Sequence, residues 1–391
     1  LCGAFLNLKK IFVISHACFT AVNRNVYHLF LQEGWKLELV VPKKLSFPSG
    51  IKKADPPGKG DPEIHYLNLK GTNPRSYLFE GLIDLLNDKK PGIIVLDNDP
   101  VSLLTTELGS WAKQHQSWLF CISNENLPLD IRAGLMRRGI KALPAILFKR
   151  TLLKRNRGLV DGVFTVNRDG EKIFIEEGYL NVRHMPLGFD PAVFYPDPPA
   201  RESIRNKYEL SKKVIAYFGR LTREKGVHLL IQALKNLKSL RWQLMMDSFD
   251  SYASEYNQEI SRLLSEADIL DRVVFVRPDH FEIAAFMNAA DIIVVPSVSV
   301  ANWKEQYGRV AAEALACGKE VIASDSGALP ELLDGHGYLF KEGNVQELQE
   351  LLAARLKTDG RSERTTDEIT SYALANLSIQ KQKAVMEAAF E

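Results

Sequence analysis

Short runs of β-branched and aliphatic residues alternate with stretches of helical spacing through the first half of the chain. Ile11–Ser15, Leu37–Val41, Ile93–Asp97, Trp118–Ile122 and Val163–Val166 read as strands. Val26–Glu33, Ser76–Asn87 and Ser102–His115 read as helices. Strand–helix alternation predicts a parallel sheet, since parallel neighbours need a crossover connection. Val40–Pro62, rich in Pro, Gly and Lys, reads as a loop. Met185–Pro199 is dense in turn formers and reads as an interdomain linker. A second alternation then runs through Val214–Phe218, the amphipathic stretch Val227–Leu237, Trp242–Met246, Val273–Val276, Asp291–Val295 and Val321–Ser324. Ile369–Phe390 is helical and lies outside it. The pattern predicts an α/β chain of two doubly wound domains, 1–187 and 188–368, with a helix over 369–391 returning to the first.

Composition narrows this picture slightly. The chain has 391 residues, 46% hydrophobic and 25% charged, with a net charge of +2. That length suits two domains, and that charge does not call for nucleic acid. Cys2, Cys18, Cys121 and Cys317 show neither metal-ligand spacing nor a disulfide pattern, so they read as reduced thiols of a cytoplasmic protein. No apolar run reaches the length of a membrane-spanning helix. Leu1–Leu8 lacks a basic leader, and Ile11–Ile14 reads as a first core strand rather than a signal sequence.

Candidate chemistry gathers in the second half. The run from Trp303 to Gly318 places Glu305 and Glu313 around Gly308 and lies between two strands. Gly308–Cys317 reads as a helix whose N-terminus leaves the carboxyl end of a sheet, where free amides and the helix dipole favour an anion. Eight residues of helix rise about 12 Å, so the two glutamates could grip hydroxyls on either side of a diphosphate. Taken alone, that spacing also fits a solvated helix face. A second cluster strengthens the anion reading. Val214–Gly226 is a strand, a turn at Gly219 and the cations Arg220 and Lys225 before a helix. Ligands of doubly wound sheets bind at that end. Two cations and a helix N-terminus can balance a pyrophosphate without a metal.

Tyr217–Gly226, Pro296–Ser297, Glu305–Gly318, Ala323–Glu331 and the junction Pro186–Pro196 resemble the glycosyl transferases group 1 family, also called glycosyltransferase family 4. The resemblance spans about Met185 to Leu356 and is weak before it. It implies the GT-B fold, two Rossmann-like domains facing a central cleft, and a retaining transfer from a nucleotide diphosphate sugar to an acceptor hydroxyl, on a glycan or a lipid-linked molecule. By that resemblance Glu305, Arg220 and Lys225 are catalytic. Glu305 contacts the sugar, Glu313 the ribose, and Arg220 and Lys225 the diphosphate, with amides near Gly308. Gly219, Tyr307 and Arg309 complete the donor set, and Arg277–Pro278 falls where family members line the base. No cofactor or metal is implied.

The chain departs from the family pattern at two places in the first domain and one in the second. In the first, His16–Asn23 replaces a glycine turn and Ser123–Asn126 stands where a histidine is common; in the second, Asp247–Asp250 replaces the glycine turn after the second strand. His16, Asn23, Asn124 and Glu125 are the acceptor candidates, with a loop-capping role as the alternative for His16 and Asn23. Asp97-Asn98-Asp99 has the form of a metal-binding motif, but a strand-end turn accounts for it better. Ile131–Gly158 holds nine basic residues, no acidic one and interleaved apolar residues, and Pro144 should break or restart its helix. Such a segment can lie on an anionic membrane surface at the inner face of a membrane; a solvated hairpin is the alternative. Two other functions remain open at the level of sequence: a degenerate sugar-nucleotide binding subunit and a nucleotide sugar epimerase.

Overall fold

The computed structural model describes residues 10–47, 50–73, 75–247, 255–357 and 365–391. The chain divides into two compact units, Leu1–Gly188 with Ile379–Glu391, and Phe189–Ser378. The first contains β1 (Lys10–Ser15), β2 (Lys36–Pro42), β3 (Lys44–Phe47), β4 (Gly50–Lys53), β5 (Glu63–Leu67), β6 (Leu69–Lys70), β7 (Leu78–Phe79), β8 (Ile93–Asp97), β9 (Trp118–Ser123), β10 (Gly162–Thr165) and β11 (Val182–His184). Seven of these form one sheet in the order β11-β10-β9-β8-β1-β2-β5, and all of its neighbours are parallel. The second unit holds β12 (Lys213–Tyr217), β13 (Trp242–Asp247), β14 (Val273–Val276), β15 (Ile292–Val295), β16 (Glu320–Ser324) and β17 (Tyr338–Phe340). They pair in the order β14-β13-β12-β15-β16-β17, again all parallel.

Both sheets therefore reverse strand order once, between β1 and β8 and between β12 and β15. In doubly wound sheets that reversal opens a crevice at the carboxyl ends, where ligands bind. Helices cover both faces of such sheets, so central strands carry no alternation. Ile93–Leu96 and Ile292–Val295 are accordingly apolar and buried throughout.

The structure corrects several expectations. Val40–Pro62 is not a plain loop: β2 runs to Pro42, and β3 and β4 pair as an antiparallel ribbon. Gly50–Lys53 is exposed, so no buried face marks it in the sequence. Within Ser76–Asn87, Leu78–Phe79 is extended and pairs with β6. The helix starts only at Leu82, after Gly81 turns the backbone with a φ of 77°. The tail 369–391 is not one helix. Thr366–Leu377 belongs to the second unit and Ile379–Phe390 to the first, with Ser378 extended between them. The strands β5, β11 and β17 had no counterpart in the sequence pattern.

Helix Ile379–Phe390 is fastened to the first unit by aromatic packing. The Phe390 ring lies 5.1 Å from Phe120, 6.0 Å from Trp35 and 6.3 Å from both Phe30 and Phe164, centroid to centroid. Trp35 Nε1 donates to Glu387 Oε1 at 3.1 Å, and the buried Lys383 ammonium pairs with Glu33 and Glu387. Among the described residues no helix is long and apolar enough to cross a membrane. Cys18, Cys121 and Cys317 are buried and unpaired, and Cys2 lies outside the described residues.

Candidate functional site

In the second unit two loops meet at the reversal point. After β12 the chain passes Phe218 and Gly219, makes a short 3-10 turn at Arg223–Lys225, and enters helix Val227–Lys235 through Gly226. The Tyr217 hydroxyl donates to the Arg220 carbonyl at 2.8 Å and holds the loop's shape. Gly226 has a φ of +68°, and a Cβ there would sit 1.8 Å from the Pro296 carbonyl oxygen. Only glycine lets the loop after β12 press on the loop after β15. Val298 N–H donates to the Glu224 carbonyl at 2.7 Å across the same contact.

That contact brings Lys225 and Glu305 together. Lys225 Nζ lies 2.6 Å from Glu305 Oε2, and the Ser297 hydroxyl donates to the same oxygen at 2.7 Å. The Ser324 hydroxyl in turn donates to the Ser297 carbonyl at 2.6 Å. Ala328 N–H donates to the Glu305 carbonyl at 3.0 Å, so side chain and backbone of Glu305 are both held. Lys225 Nζ also lies 4.9 Å from the centre of the Trp303 ring. Glu305, Ser297 and Ser324 are buried, while Arg220 is exposed.

Helix Arg309–Ala316 begins at Gly308, whose φ is +94°, and no side chain caps its N-terminus. A Cβ on Gly308 would stand 2.6 Å from Leu329 Cδ2, so beside the strain at that φ the Leu329 side chain would have to shift. Glu313, in the second turn, is half-buried; desolvation pushes its carboxyl up to about 7, against the pull of the Arg309 charge. The Tyr307 hydroxyl is buried without a hydrogen-bond partner, and burial pushes its pKa well up. Arg309 is exposed, and Arg277 is exposed immediately after β14, with Pro278 next to it.

The structure thus joins Lys225 to Glu305 directly and sets Gly219, Arg220 and Gly308 on loops at the carboxyl ends of β12 and β15. Sequence reasoning left Ser297, Ser324, Trp303 and Thr222 without a role. The two serines support Glu305, the Trp303 ring lies beside the Lys225 ammonium, and the Thr222 hydroxyl is buried in the loop after β12 without a partner. Contacts between residues 27 and 80 positions apart leave no periodic trace in a sequence.

In the first unit the acceptor candidates stand in a polar network at the carboxyl ends of β1, β8 and β9. His16 Nδ1 lies 3.0 Å from the Asp97 carbonyl oxygen. Asn23 donates through Nδ2 to the Ala17 carbonyl at 2.7 Å and so caps its own loop. Glu125 is buried and paired with Lys149 at 2.8 Å and Arg75 at 3.4 Å, with Asn124 beside it. Asp97 accepts from the Ser15 hydroxyl at 2.6 Å, and Asp99 accepts from the Ser123 hydroxyl. Burial, then the Glu125 charge, raises the Asp99 pKa, while desolvation lowers that of Lys149. Among the described residues the only three metal-type ligands that converge are Glu38, Glu63 and His65, and the Lys10 and Lys89 ammonium groups pair with Glu38.

The basic stretch is two helices, Ile131–Arg138 and Leu143–Asn156, with Pro144 in the first turn of the second. Its nine cations differ in their surroundings. Lys149 and Arg150 pair with Glu125 and Glu177, and Arg137 donates to the Pro128 carbonyl, whereas Arg132, Arg138, Lys141, Lys154, Arg155 and Arg157 are exposed. Met136 is 80% and Ile140 78% exposed beside them, with Leu147 and Phe148 at 45% and 47%.

The architecture is that of the GT-B glycosyltransferases. Over 97% of its length the chain superposes on 98% of a sucrose-phosphate synthase from Thermosynechococcus elongatus, with a TM-score of 0.71 at 19% identity. It superposes equally far on Anabaena Alr3699/HepE in complex with UDP and glucose, with a TM-score of 0.69 at 16% identity. By sequence, residues 200–371 match the profile described as Glycosyl transferases group 1. A D-inositol 3-phosphate glycosyltransferase of Corynebacterium jeikeium is 34% identical over 185 residues, 44% of this chain and 42% of that protein. A GDP-mannose-dependent alpha-(1-6)-phosphatidylinositol monomannoside mannosyltransferase of Mycolicibacterium smegmatis is 33% identical over 227 residues, 53% of this chain and 57% of that protein. The chain thus spans about half the length of these relatives.

Proposed function

We propose that this protein transfers a sugar from a nucleotide diphosphate sugar to an acceptor hydroxyl, with retention at the anomeric carbon. The observation that carries this reading is the Lys225–Glu305 contact at the reversal point of the second sheet, beside an uncapped helix N-terminus. The relatives' names and the UDP bound to HepE support it.

The difficult step is departure of the nucleoside diphosphate. Arg220, Lys225 and the amides after Gly308 stabilise the charge that grows on the leaving phosphate. Glu305 orients the sugar through its hydroxyls, and Glu313 accepts from the ribose. Retention with no carboxylate assigned as a nucleophile favours attack on the face the leaving group vacates. The leaving phosphate then takes the acceptor's proton. Protein cations meet the diphosphate charge, so the reaction needs no divalent ion. The acceptor binds the first unit near His16 and the Asp99–Glu125 network. Its source is a lipid-linked or cell-envelope glycan presented at an anionic membrane surface, which the exposed cations and apolar side chains of 131–158 meet from the cytoplasmic side.

Calorimetry of the protein with UDP, GDP and ADP tests the donor site, and slow hydrolysis of the matching nucleotide sugar without acceptor tests catalysis. Release of the α-anomer from an α-linked donor supports retention. Tight nucleotide binding with no hydrolysis or transfer would instead mark a binding subunit.

A further inference from the structure

Trp303 belongs to the run that first marked the site, yet none of the roles above uses it. Its position is fixed by a tight turn. Val300 N–H donates to the Trp303 carbonyl at 2.8 Å, and Trp303 N–H donates back to Val300 at 3.1 Å. Two residues later the chain reaches Glu305, whose backbone is tied to Ala328. The turn therefore holds the indole and the Glu305 carboxylate against one ammonium: Lys225 Nζ is 4.9 Å from the ring centre and 2.6 Å from Glu305 Oε2.

These two neighbours act differently on Lys225. The carboxylate neutralises the charge and accepts one of the three N–H donors. The indole face attracts the ammonium through its quadrupole and takes no hydrogen bond. A lysine on a flexible four-carbon stem otherwise samples many rotamers and loses that freedom when it grips a phosphate. We infer that Trp303 is a positioning residue for Lys225: its ring holds the ammonium at the mouth of the loop after β12, so that the remaining N–H groups meet an incoming diphosphate without a search. This rests on the donor reading above and adds a determinant of diphosphate affinity that lies outside the residues gripping the ligand. Trp303 acts through Lys225 and not on the nucleoside.

Two measurements separate the contact from its purpose. In protein carrying ¹³C at the lysine ε-carbons, the Lys225 resonance, identified by its loss in Lys225→Arg, should lie upfield of the exposed lysines through the ring current. It should move to the exposed position in Trp303→Leu. Titration with UDP and GDP, with uridine and guanosine as controls, then reads the effect on binding. Trp303→Leu should weaken diphosphate binding roughly three- to tenfold, the scale of a partly exposed cation–π contact, and leave the nucleosides unchanged. Trp303→Phe, which keeps an aromatic face, should recover most of the loss. In a Lys225→Met background Trp303→Leu should cost nothing further.

An unshifted Lys225 resonance, undiminished affinity in Trp303→Leu, or full additivity with Lys225→Met would each overturn the inference. So would a Trp303→Phe variant as weak as Trp303→Leu. If the ring-current shift is present but wild-type protein binds neither UDP nor GDP, the donor reading falls, and with it the purpose assigned to the contact.

Discussion

Glu305 and Glu313 are the same residue type eight positions apart, and their surroundings make them different groups. Glu305 accepts from an ammonium and a hydroxyl; Glu313 has only the Arg309 charge to offset its desolvation. With its carboxyl at about 7 instead of 4.5, Glu313 binds more proton in the folded than in the unfolded chain between those values. Its contribution to stability is therefore full below pH 4.5 and falls as pH rises through 7. Glu313→Gln should leave stability near wild type at pH 5 and raise it by on the order of 1–2 kcal/mol at pH 8, after allowance for its partial exposure. Denaturant melts at both pH values check this, and a difference that shrinks toward pH 8 would contradict it. The same variant should bind nucleoside diphosphate more weakly, because an amide replaces one acceptor for the ribose. At Gly226 the demand is steric. Gly226→Ala must place a Cβ against the Pro296 carbonyl at a positive φ, so a loss of about 2–4 kcal/mol in urea unfolding is expected. Unchanged stability would mean the two loops are not pressed together as described.

At the scale of elements, long buried strands were legible and edge pieces were not. Ile93–Asp97 and Ile292–Val295 stand out because apolar runs bounded by turns have few other uses in a chain of this kind. Val182–His184 and Tyr338–Phe340 have three residues each, too few for a period to show. Glu63–Leu67 is an edge strand with only half-buried or exposed side chains. The motif at Tyr217–Gly226 was legible because its glycines and cations sit at fixed offsets. Its dependence on Ser297 and Ser324 was not, since Ser297 reads as a turn residue and Ser324 as a strand end until the fold brings Ser297 onto Glu305 and Ser324 onto Ser297. The C-terminal helix also makes a testable demand. Phe390 closes an aromatic cluster, so Phe390→Ala should destabilise the chain by about 3–5 kcal/mol in thermal or denaturant unfolding. A loss below 1 kcal/mol would show that the helix is not docked on that core. For the basic stretch 131–158, the proposed membrane contact falls to the exposed cations. Changing Arg132, Lys141, Lys154 and Arg155 to Gln should release the protein from vesicles containing anionic lipid, and salt should release wild type. Wild type that ignores such vesicles at low salt would make the stretch a solvated hairpin.

The whole molecule repeats one plan twice: a parallel sheet with a single reversal and polar groups gathered at its carboxyl ends. The two copies are furnished differently. Carboxylates and serines dominate at β1, β8 and β9, which suits hydroxyl groups. Cations and an uncapped helix N-terminus mark β12 and β15, which suits a diphosphate. If protein cations alone meet the diphosphate charge, transfer should proceed undiminished in EDTA; loss of activity restored by Mn²⁺ would bring Asp97 and Asp99 into the mechanism. The central claim is that Arg220 and Lys225 grip the diphosphate, and calorimetry of the Ala variants tests it most directly. Each of Arg220→Ala and Lys225→Ala should weaken nucleoside diphosphate binding by about 1.5–3 kcal/mol, as for charge-assisted hydrogen bonds, and leave binding of the nucleoside as in wild type. Equal loss for nucleoside and diphosphate, or no loss for either, would contradict the account.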